Sequence, residues 1–197
     1  MIDVSPFFAS QAVSYKKMLV LFAAFEFGEA LKISKQYNIL PTVADMDQVI
    51  DNLIKQRESE DVTNFSHQFD LRLNSLRRFR NGGCDPETIL EKIILPEGYN
   101  GKILLVMFKG GILDGQVCLR SGDMWHREIL RNTEIEINHL GFFESVVYEL
   151  GGAHIRFEKN KDIVIFGTSD DFGSCDKAYA AELIQQIFND RHIMIAG

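Results

Sequence analysis

Histidine, serine and carboxylate side chains fit for acid–base and anion-binding chemistry gather between Leu150 and Gly173, LGGAHIRFEKNKDIVIFGTSDDFG. Ser169 lies in the polar loop Gly167-Thr168-Ser169-Asp170-Asp171-Phe172-Gly173. Ile163 to Phe166, just before the loop, has the apolar character of a strand, and Ser174 to Phe188, just after it, keeps Ala178, Ala181, Leu183, Ile184, Ile187 and Phe188 at helical spacing. A loop between a strand end and a helix start offers an anion unpaired amide groups and the positive end of a helix dipole. Ser169 and the amides after it are therefore expected to meet a phosphate-like group. The elements that must position the loop are also readable. His154, Arg156 and Glu158 alternate with Ile155 and Phe157, and Glu158 to Asp162 has turn composition, so a β-hairpin is expected to present the loop at its end.

Three blocks in order resemble the Janus/ocnus family of small phosphohistidine phosphatases. The hairpin block is similar in Leu150-Gly151-Gly152, in Ile155, in Phe166-Gly167-Thr168-Ser169 and in Phe172-Gly173. Upstream, Asp123-Met124-Trp125-His126-Arg127-Glu128-Ile129 is similar to the segment in which an aromatic residue precedes the family's catalytic histidine. Gly101-Lys102-Ile103-Leu104-Leu105-Val106 is similar to its first strand, which carries a functional lysine. The resemblance covers about Leu95 to Ala196 and is silent on the residues before it.

The resemblance implies a metal-independent phosphatase acting on the phosphorus–nitrogen bond of phosphohistidine or a related phosphoramidate, with no cofactor. In that reading His126 is base or nucleophile, and Lys102 supplies positive charge at the pocket edge. Ser169 donates its hydroxyl to a phosphoryl oxygen, helped by the backbone N–H groups of Arg127 and Asp171. These residue types suit the reaction. Phosphoryl transfer passes through a loose transition state in which positioning and charge stabilisation dominate, and an imidazole of ordinary pKa, ~6.5, is largely neutral at pH 7. Read without the resemblance, Lys102 is a solvated lysine at a strand start and Ser169 a turn or capping residue. His154 reads as a surface or partner-facing residue. His67 has no metal-ligand spacing to another His or Cys, and neither His139 nor His192 has an evident partner.

Two features depart from the family. Asp170-Asp171 place carboxylates directly after Ser169, where they oppose phosphate unless Lys102, Arg127 or Lys177 offsets them. A helical half also precedes the family-like region. The alternative function is therefore a non-catalytic module that binds a phosphorylated ligand or a protein partner, with the helical half as interaction surface.

Bulk properties do not exclude the pocket for a small anion that a phosphorylated protein or small phosphoramidate as partner requires. A formal net charge of −7 argues against sequence-independent nucleic-acid binding, which draws on positive charge. The apolar run Met18 to Phe25 is interrupted by Glu26 and Glu29, well short of the ~20 residues of a membrane span. Cys84, Cys118 and Cys175 are odd in number and widely spaced, which suggests neither disulfides nor zinc and fits the cytoplasm.

The expected fold is α+β: a helical module over 1–96, then a mixed six-stranded sheet with two helices over 97–197, phosphohistidine phosphatase-like. In the first part, one helix is expected from Ser5-Pro6 towards Tyr37, apolar on more than one face and hence central to its bundle. A second starts at Thr42 with Asp45 three residues on, and a third runs from about Val62 to Phe79, burying Phe65, Phe69, Leu73 and Leu76. A short fourth starts at Asp85-Pro86 and reaches Ile94, before Pro96-Glu97-Gly98 breaks the pattern. Arg72, Arg77, Arg78 and Arg80 read as cations complementing a helix C-terminus. In the second part, strands are expected over 103–108, 116–120, 144–150, 154–158, 163–166 and 192–195. A helix is expected over 127–140, although Thr133 to Ile137 alternates as a strand would.

Overall fold

The computed structural model describes residues 5–59, 66–159 and 162–197. The expected start of the third helix near Val62 with Phe65, and the hairpin tip at Asn160-Lys161, lie outside these residues. The fold is α+β, with six α-helices among the described residues and one mixed six-stranded sheet. The chain divides into two compact units, 1–90 with 137–144, and 91–136 with 145–197.

The first unit is helical. Its elements are α1 (Ser5–Ala23), α2 (Phe27–Tyr37), α3 (Val43–Ser59) and α4 (Ser66–Asn81). The single first helix expected towards Tyr37 is broken: Phe25 takes a left-handed φ of 60° between α1 and α2. Its ring sets edge-on against Phe27 and Phe69, at centroid distances of 6.1 and 5.7 Å, so aromatic packing holds a conformation that a phenylalanine rarely adopts. Helix α1 buries Met18 and Phe22, and Phe22 stacks on Phe79 of α4 at 5.0 Å. Val13 and Val20 are 69% and 66% exposed, so α1 is not enclosed on all sides.

Helix α3 begins as its sequence demands. The Asp45 amide donates to Thr42 Oγ1 at 3.1 Å while the Thr42 amide donates to Asp45 Oδ2 at 3.3 Å, a reciprocal cap, and the Thr42 hydroxyl, followed by that of Tyr15, holds the Asp45 carboxyl below its usual range. Arginines of α4 tie this unit together rather than forming a basic patch. Arg80 makes two bonds to Asp47, at 2.7 and 2.9 Å, and Arg72 Nε donates to the His139 carbonyl at 2.6 Å.

Residues 85–94 depart from the expected fourth helix. Asp85 does cap, accepting from the Glu87 amide at 3.0 Å, but only a 3-10 turn over Pro86–Thr88 follows. Ile93–Ile94 instead form β1, parallel to β3 (Val117–Gly122). Sheet pairing satisfies this backbone better than an isolated short helix, whose nucleation is costly.

The second unit is built on the sheet, in the order β1-β3-β2-β4-β5-β6. Strand β2 (Gly101–Lys109) is central and antiparallel to β3 and to β4 (Val146–Phe157). Strand β5 (Ile163–Phe166) is antiparallel to β4, and β6 (Ile193–Ile195) is parallel to β5. Six strands were expected and six are present, but the set differs. The expected strands 144–150 and 154–158 are one strand, β4, and β1 makes up the number. A bulge lies within β4. Between the pairs Leu104↔Gly152 and Val106↔Glu149, Leu150 and Gly151 oppose the single residue Leu105, and Gly151 has a φ of 95°.

Strand alternation divides the sheet's side chains between two faces. One face carries Ile103, Leu105, Ala153, Ile155 and Ile165 into a core with Ala180, Leu183 and Ile184 of α6 (Lys177–Ile187). The other carries Lys102, Leu104, Gly152, His154 and Phe166, and α5 (His126–His139) reaches it. A Cβ on Gly122 would lie 3.2 Å from the Ile129 side chain. The strand-like alternation of Thr133 to Ile137 is overridden, and the segment is helical.

Candidate active site

On the α5 face of the sheet, Gly152 of β4 is the floor of a small cluster. A Cβ there would stand 2.6 Å from both Cδ2 and Nε2 of His126 and 2.9 Å from Cβ of Ser169, so only glycine lets both side chains meet the strand. His126 is the first residue of α5 and is 3% exposed. Its Nε2 lies 3.2 Å from the Ala153 carbonyl oxygen. A carbonyl only accepts, so this nitrogen carries a proton, and in the neutral form of the ring the lone pair is on Nδ1.

The helix end beneath His126 is set by Glu128, which accepts a 2.9 Å hydrogen bond from the Trp125 amide while the Trp125 carbonyl receives the Glu128 and Ile129 amides. Arg127 is the second residue of α5, in the first turn, where amide groups have no partner within the helix. Its guanidinium carbon is 5.8 Å from the centre of the Trp125 ring.

Lys102 enters from β2, where its Cα pairs with that of His154 on β4. Its ammonium sits 4.8 Å from the centre of the Trp125 ring, so the aromatic residue before His126 also holds the lysine head. His154 faces the cluster. Its ring is edge-on to His126 at 5.9 Å and stacks on Phe166 at 5.6 Å. Burial pushes its pKa below the ordinary value, and the nearby charges of His126 and Lys102 push it the same way, against the opposing pull of Asp170.

Ser169 is 3% exposed. It lies between the end of β5 and the start of α6, as expected, but the helix begins at Lys177 and not at Ser174, with Asp176 capping it by accepting from the Tyr179 amide at 3.0 Å. The loop closes on itself. The Ser169 amide donates to the Gly173 carbonyl at 3.2 Å and the Gly173 amide donates back at 3.0 Å. The Ser169 amide is thereby used up, but its hydroxyl oxygen accepts from the Phe172 amide at 3.2 Å and keeps its own proton for a ligand. The helix start near the cluster is that of α5. Asp170 and Asp171 are exposed in the turn, and the Asp171 amide has no hydrogen-bond partner among the described residues.

His126, Ser169 and Lys102 thus share one face of the sheet, with Arg127 alongside on α5 and Asp171 in the adjoining turn. His154, expected at the surface or facing a partner, joins them. Its strand alternation was visible, but its partner Lys102 lies 52 positions earlier, and only the register of β2 against β4 brings the two together. Cys84, Cys118 and Cys175 are buried free thiols.

No curated protein matches the chain. Residues 101–192, which contain the whole cluster, match the Janus/Ocnus family.

Proposed function

We propose that the sheet-bearing unit hydrolyses the phosphorus–nitrogen bond of phosphohistidine or a related phosphoramidate without a metal ion. The observation that carries this reading is the pairing of His126 and Ser169 over Gly152, with Lys102 on the neighbouring strand of the same face. The Nδ1 lone pair of His126 has two uses. Acting as nucleophile, it forms a bond to phosphorus as the P–N bond breaks and the leaving nitrogen takes a proton from water, and a second water then attacks phosphorus, releasing phosphate and restoring the imidazole. Acting as base, it takes a proton from an attacking water and returns it to the leaving nitrogen. In both routes Lys102 and the Ser169 hydroxyl stabilise the phosphoryl oxygens, joined by the amides of Arg127 and Asp171. His154 widens the donor set when protonated.

The test is phosphate release by the full chain from phosphohistidine and from phosphoramidate, with Lys102→Ala and Ser169→Ala alongside. Each substitution is expected to lower turnover by roughly 10²–10³-fold, the effect of removing one preorganised donor. Release no faster than in buffer alone rejects the reading.

Asp170 favours a second reading, a module that binds without catalysis. Its charge is felt by His154 and opposes a phosphate there. In that case the helical unit is the interaction surface, with Val13 and Val20, two turns apart on α1, as its exposed apolar contacts. A folded wild type that binds inorganic phosphate and turns over neither substrate would favour it.

A further inference from the structure

The rim of the cluster carries one large aromatic side chain that the hydrolysis itself does not use. Trp125 is 53% exposed, although it stands directly before the buried His126. Its backbone is held on both sides: the amide donates to Glu128 Oε2 at 2.9 Å, and the carbonyl accepts from the amides of Glu128 and Ile129. The indole is tied to the cluster as well, with the Lys102 ammonium 4.8 Å and the Arg127 guanidinium carbon 5.8 Å from its ring centre. These two cations cover part of the ring, and about half of the side chain stays open to solvent. An indole fixed at its backbone and left half in water offers a flat apolar group a place to stack.

The departing group decides what can lie there. A phosphoryl oxygen bonded to the Lys102 ammonium at ~2.8 Å brings phosphorus, and the nitrogen leaving it, into the neighbourhood of the indole. An imidazole of ordinary pKa, ~6.5, departs largely neutral at pH 7 and presents a flat π face. An alkyl amine such as that of lysine, with an ordinary pKa of ~10.4, departs as an ammonium ion without a flat face. It would meet Lys102 and Arg127 as like charges, and the position a cation takes over the ring is already held by Lys102.

We propose that Trp125 is the specificity-determining residue that stacks on the leaving imidazole, so that the site selects phosphohistidine over phosphoramidates of ammonia or aliphatic amines. The inference rests on the phosphatase reading and deepens it. Trp125 then makes two contacts of different kinds: it holds the Lys102 head whatever the substrate, and it holds the leaving group only in phosphohistidine.

The experiment compares kcat/KM of the full chain for phosphohistidine, Nε-phospholysine and phosphoramidate in wild type, Trp125→Ala and Trp125→Phe. Loss of the hold on Lys102 lowers all three alike and cancels in their ratios, whereas loss of the stack appears only in the ratios. Wild type is expected to favour phosphohistidine, and Trp125→Ala to reduce that preference about three- to tenfold against both other substrates, the worth of one aromatic pair. Trp125→Phe, which keeps a flat ring, should retain most of the preference. A wild type that turns over all three without preference, a Trp125→Ala variant in which all three fall by the same factor, or a Trp125→Phe preference no greater than that of Trp125→Ala would overturn the stacking role and leave the phosphatase reading in place. No turnover of any of the three by wild type would remove that reading and this inference with it.

Discussion

Gly152→Ala tests the geometry of the cluster with a single methyl group. The backbone at Gly152 does not have the left-handed φ found at Gly151 and Gly167, so alanine is conformationally permitted and only space is at issue. The new carbon would stand 2.6 Å from the His126 ring, against about 3.5–4.0 Å for relaxed carbon contacts, so the ring must retreat by roughly 1 Å. The Ser169 side chain at 2.9 Å restricts the other direction. A retreat of that size breaks the 3.2 Å bond from His126 Nε2 to the Ala153 carbonyl and frees the tautomer that leaves Nδ1 unprotonated. Overpacking of this kind typically destabilises by about 1–3 kcal/mol, and a 1 Å misplacement of a reacting group lowers turnover by about 100-fold. The assays are the denaturant midpoint and phosphate release from phosphoramidate, with the His126 ring followed by NMR as a readout independent of activity. Unchanged stability together with an unchanged His126 ring signal would refute the placement of His126 against the strand.

Further outcomes follow from neighbouring residues. Gly151→Ala should cost more stability than Gly152→Ala, because its Cβ would meet Ser174 backbone at 2.6 Å from a φ of 95°; comparing denaturant midpoints checks the order. His154 has a folded pKa below its unfolded value, so the unfolded chain binds the proton more readily. Its contribution is complete above the unfolded pKa of ~6.5 and is lost as pH falls through that value towards the folded pKa. His154→Gln should therefore lose less stability than wild type between pH 7.5 and 5, measured as the shift in denaturant midpoint. Asp170→Asn removes the carboxylate that opposes anions near His154 and should tighten inhibition by inorganic phosphate by roughly two- to fivefold, the scale of an exposed charge pair. Unaltered inhibition would place Asp170 away from the ligand.

Much of the fold was legible where local chemistry acts alone. Thr42 and Asp45 announce the start of α3, and the period change near Gly101 announces the sheet, whereas the cap at Asp85 leads only into a 3-10 turn and not into the helix its sequence suggests. What was not legible depends on contacts distant in sequence. The break between α1 and α2 carries neither proline nor glycine at Phe25; it exists because the ring packs against Phe69. Strand β1 exists because Ile93 finds Leu119, and the continuity of β4 through two glycines exists because Leu105 opposes a bulge. The passage of 137–144 to the helical unit has the same origin. Gly28 and Gly141 approach so closely that a Cβ on Gly28 would lie 2.5 Å from the Gly141 carbonyl oxygen. In the candidate site, His126, Lys102 and Ser169 stood out through the family-like blocks around them, whereas the place of His154 is a product of strand register.

Whether His126 performs chemistry on a phosphoryl group is decided by phosphate release from phosphohistidine in the presence of a chelator, wild type against His126→Ala. Turnover by wild type that is unaffected by chelator and falls by roughly 10³-fold or more in His126→Ala is the expected result. Turnover unchanged in a folded His126→Ala would contradict it.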